Sequence, residues 1–257
     1  MSLENEYTIN FMTSASGEHY LNCAVPFIFF SLLSEKRAHV ELIVRDVSWF
    51  NNKYQRELSA ISQYNDNFLI RQPTVVCSGV NSLRFFETPT VDSKYTYITD
   101  VDVLNLDQCV SLYEEFWPGD LCYNNVLRPT SRVKLSGIHM CKTREFYSKK
   151  YTDILKTTPK TNHDEEILGQ MCQAVHGLPP KEHNFRPILG VHFSPNRGPG
   201  KRLPLRVLDR YKNMFTNLSE QYSELFKFDV FKNLLTILHE MEVQPTPPNW
   251  PRYFYRG

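Results

Sequence analysis

YTINFMTSASGEHYLNCAVPFIFFSLLSEKRAHVELIVR, residues 7–45, carries four structural signals in a row. Tyr7–Met12 reads as a strand, a polar loop follows, an apolar helix runs from about His19 to Ser34, and HVELIVR (His39–Arg45) reads as a second strand. Strand, loop, helix and strand in that order begin an open, mostly parallel sheet, in which ligands bind where strands end and loops start. The loop Thr13–Glu18 is therefore expected at a ligand edge.

Downstream, Gln55–Gln63 reads as a helix, Phe68–Arg71 as a short strand, and YTYIT (Tyr95–Thr99) as a central strand with Asp100 and Asp102 at its exit. A helix Asp107–Trp117 follows, then the weakly patterned Gly119–Lys134, a strand near Ile138, and helices Arg144–Lys156 and Asp164–Val175. Pro179, Pro180 and Pro187 interrupt the pattern before a last strand, Ile188–Phe193. From Leu205 the texture changes: Leu208, Tyr211, Phe215, Leu218, Tyr222 and Leu225, then Phe231, Leu234, Leu235 and Leu238, give two amphipathic stripes. The reading is one α/β domain, a mostly parallel central sheet flanked by helices over 1–204. C-terminal helices over 205–243 pack on it, and a Pro-rich, aromatic and basic tail covers 244–257. No internal repeat is found.

With 41% apolar and 13% aromatic residues among 257, a sizeable core is available. Lys and Arg (29) nearly cancel Asp and Glu (28), so no global field favours nucleic acid or an anionic membrane. Six cysteines without a C-x-x-C pair argue against a zinc site or a disulfide framework, and fit free thiols in a reducing, cytoplasmic compartment. Glu4 and Glu6 near the start, and an apolar run Ala24–Leu33 that is short and contains Pro26, predict neither signal peptide nor membrane span. The terminal RYFYR could touch a membrane surface through aromatic and basic contacts, or simply end the chain; its five residues leave both open.

Asp100-Val101-Asp102 is the motif with chemical content. At a strand exit the backbone can turn two carboxylates toward one point, and hard cations such as Mn2+ or Mg2+ are commonly held by one or two carboxylates plus substrate phosphates. Asp in a post-strand turn is also ordinary turn chemistry. The apolar flanks of ITDVDVL place these acids near buried surface, where unpaired charge is costly and a cation would compensate it.

These motifs resemble, over about the first 200 residues, the retaining glycosyltransferases that include glycogenin, galactinol synthase and the bacterial lipopolysaccharide glucosyl- and galactosyltransferases. The resemblance implies a nucleotide-sugar-binding domain of GT-A type, with Asp100 and Asp102 as the family's D-x-D. FMTSASGEHYLNCA looks like its first strand and helix, with Thr13 and Tyr20 lining the nucleobase pocket; Tyr20 is equally a core-facing aromatic. NSLRFFETP is similar to its Arg-bearing helix, giving Arg84 to the diphosphate. KLSGIHMCK looks like its glycine-containing strand, with Ser136 and Gly137 beside the donor sugar, whereas His139 reads as a partnered core histidine.

Asp164-Glu165-Glu166 stands where the family has D-Q-D, making Asp164 and Glu165 the candidates at the reacting sugar. Asn162 with Glu165 is also a capping box. GVHFSPNRGPGKR is similar to the family's closing H-x-x-G-x-x-K, with His192 as third metal ligand and Lys201 on the phosphates. The spacing is longer here, and Arg197 could take the place of Lys201. The resemblance thus implies a Mn2+- or Mg2+-dependent hexosyltransferase acting with retention, with a UDP-sugar donor favoured and a saccharide or glycolipid acceptor, as in polysaccharide or lipopolysaccharide synthesis at the cytoplasmic face of a membrane. A sugar nucleotidyltransferase is a second reading, which SASGEH disfavours for want of a Lys or Arg. A non-catalytic saccharide- or partner-binding module is a third.

Overall fold

The structure, a computed structural model, describes residues 6–77, 79–158, 163–183, 190–192 and 214–242, with side chains to residue 236. Strand β1 (Tyr7–Ser14) leads through α1 (Glu18–Ser34) into β2 (Ala38–Ile43). Helices α2 (Val47–Lys53) and α3 (Gln55–Ser62), strand β3 (Phe68–Arg71) and helix α4 (Val80–Phe86) precede β4 (Ser93–Ile98) and β5 (Val103–Asn105). Then come α5 (Cys109–Glu115), β6 (Tyr123–Asn124), β7 (His139–Lys142), α6 (Thr143–Phe146), α7 (Lys149–Thr157), α8 (Asp164–Val175) and β8 (Gly190–His192). Helical residues 214–221 (α9), a 3-10 turn at Leu225–Lys227 and α10 (Asp229–Glu242) close the described chain.

The fold is mixed α/β. A six-stranded sheet runs β3-β2-β1-β4-β7-β6, parallel from β3 to β4, with β7 and β6 antiparallel at one side. Helices cover both faces, which is why β1 and β4 are nearly continuous runs of buried residues instead of alternating ones. One core holds Ile9, Phe11, Val40 and Tyr97 under α1; the other holds Met12, Ile43, Ile98 and Cys141 under α4, α7 and α8.

Helix α1 is apolar nearly all round because a second layer covers its far side: Phe29 packs edge-on against Tyr222 and Phe231, and Phe30 against Phe215. The polar residues inside the sheet are mutually satisfied. Glu41, fully buried on β2, accepts from Asn10 (2.8 Å), Arg71 (2.9 Å) and the Thr90 backbone (2.7 Å), and Arg71 also bonds Glu87.

Two elements differ from expectation. The stretch 144–156 is not one helix but two, because the Ser148 hydroxyl accepts from Tyr151 N and starts α7 anew. Helix α2 was not foreseen; Asp46 caps it by accepting from Trp49 N at 2.8 Å. The expected strand 188–193 is described only at Gly190–His192. Leu205, Leu208, Tyr211, Lys201, Arg197, Asn162, the tail 244–257 and the Leu238 side chain lie outside what the structure describes. No helix among the described residues is long and apolar enough to cross a membrane.

Candidate active site

The parallel sheet delivers the acids. After β4 the chain makes a tight turn, closed by Val103 N donating to Asp100 O at 3.1 Å, and leaves as β5. Val101 drops into the core, while Asp100 and Asp102 flank a cleft of about 190 Å³. Asp102 is only 3% exposed, so its charge needs a partner.

That partner comes from β8, whose antiparallel pairing with β5 sets Val103 opposite His192. His192 Nε2 lies 3.2 Å from Asp102 Oδ1, and one donor atom from each of Asp100, Asp102 and His192 falls within 4.8 Å of the others. Glycine is required at the start of this strand. Gly190 has φ +150°, and a Cβ there would stand 1.5 Å from Leu104 O.

The opposite wall is Arg84, on α4. Its guanidinium is buried, donates to Asn81 O at 2.6 Å, and meets Asp100 Oδ1 at 2.7 Å and Asp164 Oδ2 at 3.3 Å. Arg84 Nε has no partner among the described residues, and the group lies over the Phe85 ring at 4.6 Å. This is not a solvated surface arginine, because burying its charge between two carboxylates demands specific geometry.

Helix α8 presents its first turn to the same cleft. Asp164 Oδ1 accepts from Glu165 N (2.9 Å), and Glu165 Oε1 accepts from Gly137 N (3.3 Å) and from the Arg128 guanidinium. A Cβ on Gly137 would meet Arg84 Nη2 at 3.3 Å, Asp100 Oδ2 at 3.6 Å and Glu165 Oε1 at 3.7 Å, so the absence of a side chain keeps the acids face to face. Burial, with the charge of Asp102 added, pushes the Cys23 thiol behind the site up to about 12, leaving it protonated and unreactive at neutral pH.

The structure brings Asp100, Asp102, His192, Arg84, Tyr20, Gly137, Asp164 and Glu165 together from six separate places in the sequence. Two of the expected residues are placed away from the cleft surface. Thr13 does not line the cleft: it is fully buried, and its hydroxyl donates to Thr99 O at 2.8 Å, while its neighbour Ser14 takes the lining position. Ser136 is likewise buried, its hydroxyl accepting from Ile138 N within its own turn. His139 is fully buried, with Nδ1 on Asn125 at 3.1 Å but Nε2 unpartnered among the described residues. Asn81 and Arg128 are site residues that sequence reasoning missed. The contributions of Lys201 and Asn162 lie outside the described residues.

No family model and no curated protein matches the chain. Among solved structures, it is similar to the apo form of the glycosyltransferase GlyE of Streptococcus pneumoniae: 12% identity over 88% of this chain and 52% of that one, TM-score 0.46. It is also similar to an active-site mutant of LgtC (12% identity, 66% of this chain and 70% of that one, TM-score 0.44). A third is the mannosyltransferase PcManGT from Pyrobaculum calidifontis in complex with GDP-Man and Mn2+ (10% identity, 93% and 87%, TM-score 0.44). The chain spans about half the length of GlyE. All three TM-scores fall below 0.5.

That geometry fits a divalent cation. Two carboxylates and an imidazole are an appropriate donor set for Mn2+; metal–ligand bonds of about 2.0–2.2 Å set neighbouring donors about 3 Å and opposed donors about 4.2 Å apart, so donors spread over up to 4.8 Å close on the cation by side-chain rotation. The charges agree as well. Among the described residues, Asp100, Asp102, Asp164 and Glu165 gather around the guanidiniums of Arg84 and Arg128, an acid-rich cleft that suits a dication.

Proposed function

We propose that this chain is a metal-dependent glycosyltransferase that moves a hexose from a nucleoside-diphosphate sugar, a UDP-sugar favoured, to a hydroxyl of a saccharide or glycolipid, with retention at the anomeric carbon. The observation that carries the proposal is the convergence of Asp100, Asp102 and His192 on one point of a cleft whose other wall is the buried Arg84.

Asp100, Asp102 and His192 hold Mn2+ or Mg2+. When bound, the cation supplies Lewis-acid stabilisation to the departing diphosphate. Arg84 contributes a fixed positive charge on the same side, already oriented by Asp100, Asp164 and Asn81 and therefore needing little reorganisation. Tyr20, on the first turns of α1 at the cleft rim, offers a ring to the nucleobase, and Lys201 is assigned to the phosphates on the motif resemblance alone. Gly137 lets the donor sugar approach the backbone. Asp164 and Glu165 face that position and are the groups that orient the sugar hydroxyls and stabilise positive charge at the anomeric carbon. The C-terminal helices complete the α1 side of the core.

The test is sugar release from a panel of nucleotide sugars with and without Mn2+. Metal-dependent release from at least one donor, lost in D102N, is expected. Saccharide binding with no turnover of any donor would instead make this a non-catalytic module.

A further inference from the structure

The segment between β6 and β7 is strapped across the start of α8. Leu127 bridges Leu135, Leu135 N donates to Glu165 O at 3.0 Å, and two arginines on the strap each meet one acid of the helix's first turn. Arg132 pairs with Glu166 at 3.1 Å on the outside, where the arginine is largely exposed. Arg128, itself partly exposed, pairs with Glu165 on the side facing Gly137, at the oxygen that also receives Gly137 N. The two contacts are alike in sequence and unlike in consequence, since only Glu165 borders the space shared with Asp100.

A carboxylate facing Asp100 across the width of one methyl group has two options when a dication occupies the site. It can swing in as an additional oxygen ligand, which a flexible coordination sphere accepts, or it can stay where the sugar will be. Charge alone favours the first. The Arg128 guanidinium opposes it, because a charge-assisted hydrogen bond must break before Glu165 can move.

We propose that Arg128 is a positioning residue that withholds the Glu165 carboxylate from the cation and keeps it facing the sugar position beside Gly137. This rests on the reading of Asp100, Asp102 and His192 as the cation site. Arg128 does not itself touch substrate; it acts through Glu165.

The test measures Mn2+ affinity by electron paramagnetic resonance on the whole chain, with no turnover required. R128A is expected to bind Mn2+ about three- to tenfold tighter than the natural chain, the scale of one freed carboxylate a few ångströms from a dication. R128K, which retains a charge on Glu165, should stay near the natural affinity, and R132A, which removes the same charge from the strap, should change it less than about twofold. In R128A/E165Q the gain should vanish relative to E165Q. R128Q replaces R128A if the latter loses its cooperative thermal transition. The proposal is overturned if removing the Arg128 charge leaves Mn2+ affinity unchanged or weaker, if R132A matches its effect, or if the gain survives in the E165Q background. A natural chain that is folded yet binds no Mn2+ overturns the cation site and this proposal together, whereas normal binding with an inert R128A overturns this proposal alone.

Discussion

His192 stands opposite Val103 across the β5–β8 ladder, one residue beyond Asp102, and this register sets its Nε2 3.2 Å from the Asp102 carboxylate. The proposed third ligand is thereby fixed against a motif 90 positions earlier by backbone pairing, not by side-chain flexibility. Removing either partner should therefore cost cation affinity without unfolding the core. H192A and D102N are each expected to weaken Mn2+ binding at least about tenfold while the far-ultraviolet circular dichroism is unchanged, since even groups behind a metal's direct ligands are worth that much. Titration by electron paramagnetic resonance reads the first quantity.

Gly190 makes that register available. Alanine there places Cβ in Leu104 O and forces a positive φ on a side-chain-bearing residue, strain of about 1–3 kcal/mol before the clash is counted. G190A should lose Mn2+ affinity to the same extent as H192A even though all three ligands remain. A G190A chain that binds Mn2+ normally would show that β8 does not position His192.

Gly137 is a different case, because its surroundings are side-chain ends: Arg84 Nη2, tight at 3.3 Å, can give by a few tenths of an ångström, and the two acids are at ordinary contact distance. G137A should fold with a melting temperature near that of the natural chain. A methyl group between Arg84, Asp100 and Glu165 intrudes where the sugar must lie, and misplacement of about 1 Å can cost up to about 100-fold in rate. Steady-state kinetics should show kcat/KM reduced by tenfold or more, against an unchanged thermal transition in calorimetry.

Acid should destabilise the fold through His139. Burial, with repulsion from His176 added, holds its imidazole neutral with a pKa lowered to about 3. The unfolded chain takes up this proton below about 6.5 and the folded chain does not until about 3. The stabilising contribution is complete above 6.5 and is lost as pH falls through that window, with a slope of up to about 1.4 kcal/mol per pH unit. Urea unfolding at pH 6.5, 5.5 and 4.5 should give a shallower dependence for H139F by nearly one proton; an identical slope would mean that His139 titrates normally.

Much of this site was legible because it sits where sheet topology puts ligands. The order of β1, α1 and β2 followed from a change of periodicity, and Asp100 and Asp102 from their place after an apolar strand. Thr13 and Ser136 each sit one residue from a position that borders the cleft, Ser14 and Gly137. Neighbours at a strand end point to opposite sides, so Ser14 lines the cleft while Thr13 ties β1 to β4. Asn81 left a usable trace, being one helical turn before Arg84. Arg128 left none: its partner Glu165 is 37 residues away, joined through a strap with no periodic pattern.

The central claim is that Asp100, Asp102 and His192 share one divalent cation. Anomalous diffraction from crystals of this chain grown with Mn2+ tests it most directly. A manganese peak is expected in the cleft, within about 2.0–2.2 Å of an oxygen of each aspartate and a nitrogen of His192. Crystals with manganese bound elsewhere and clear density for these three side chains without a peak between them would contradict it.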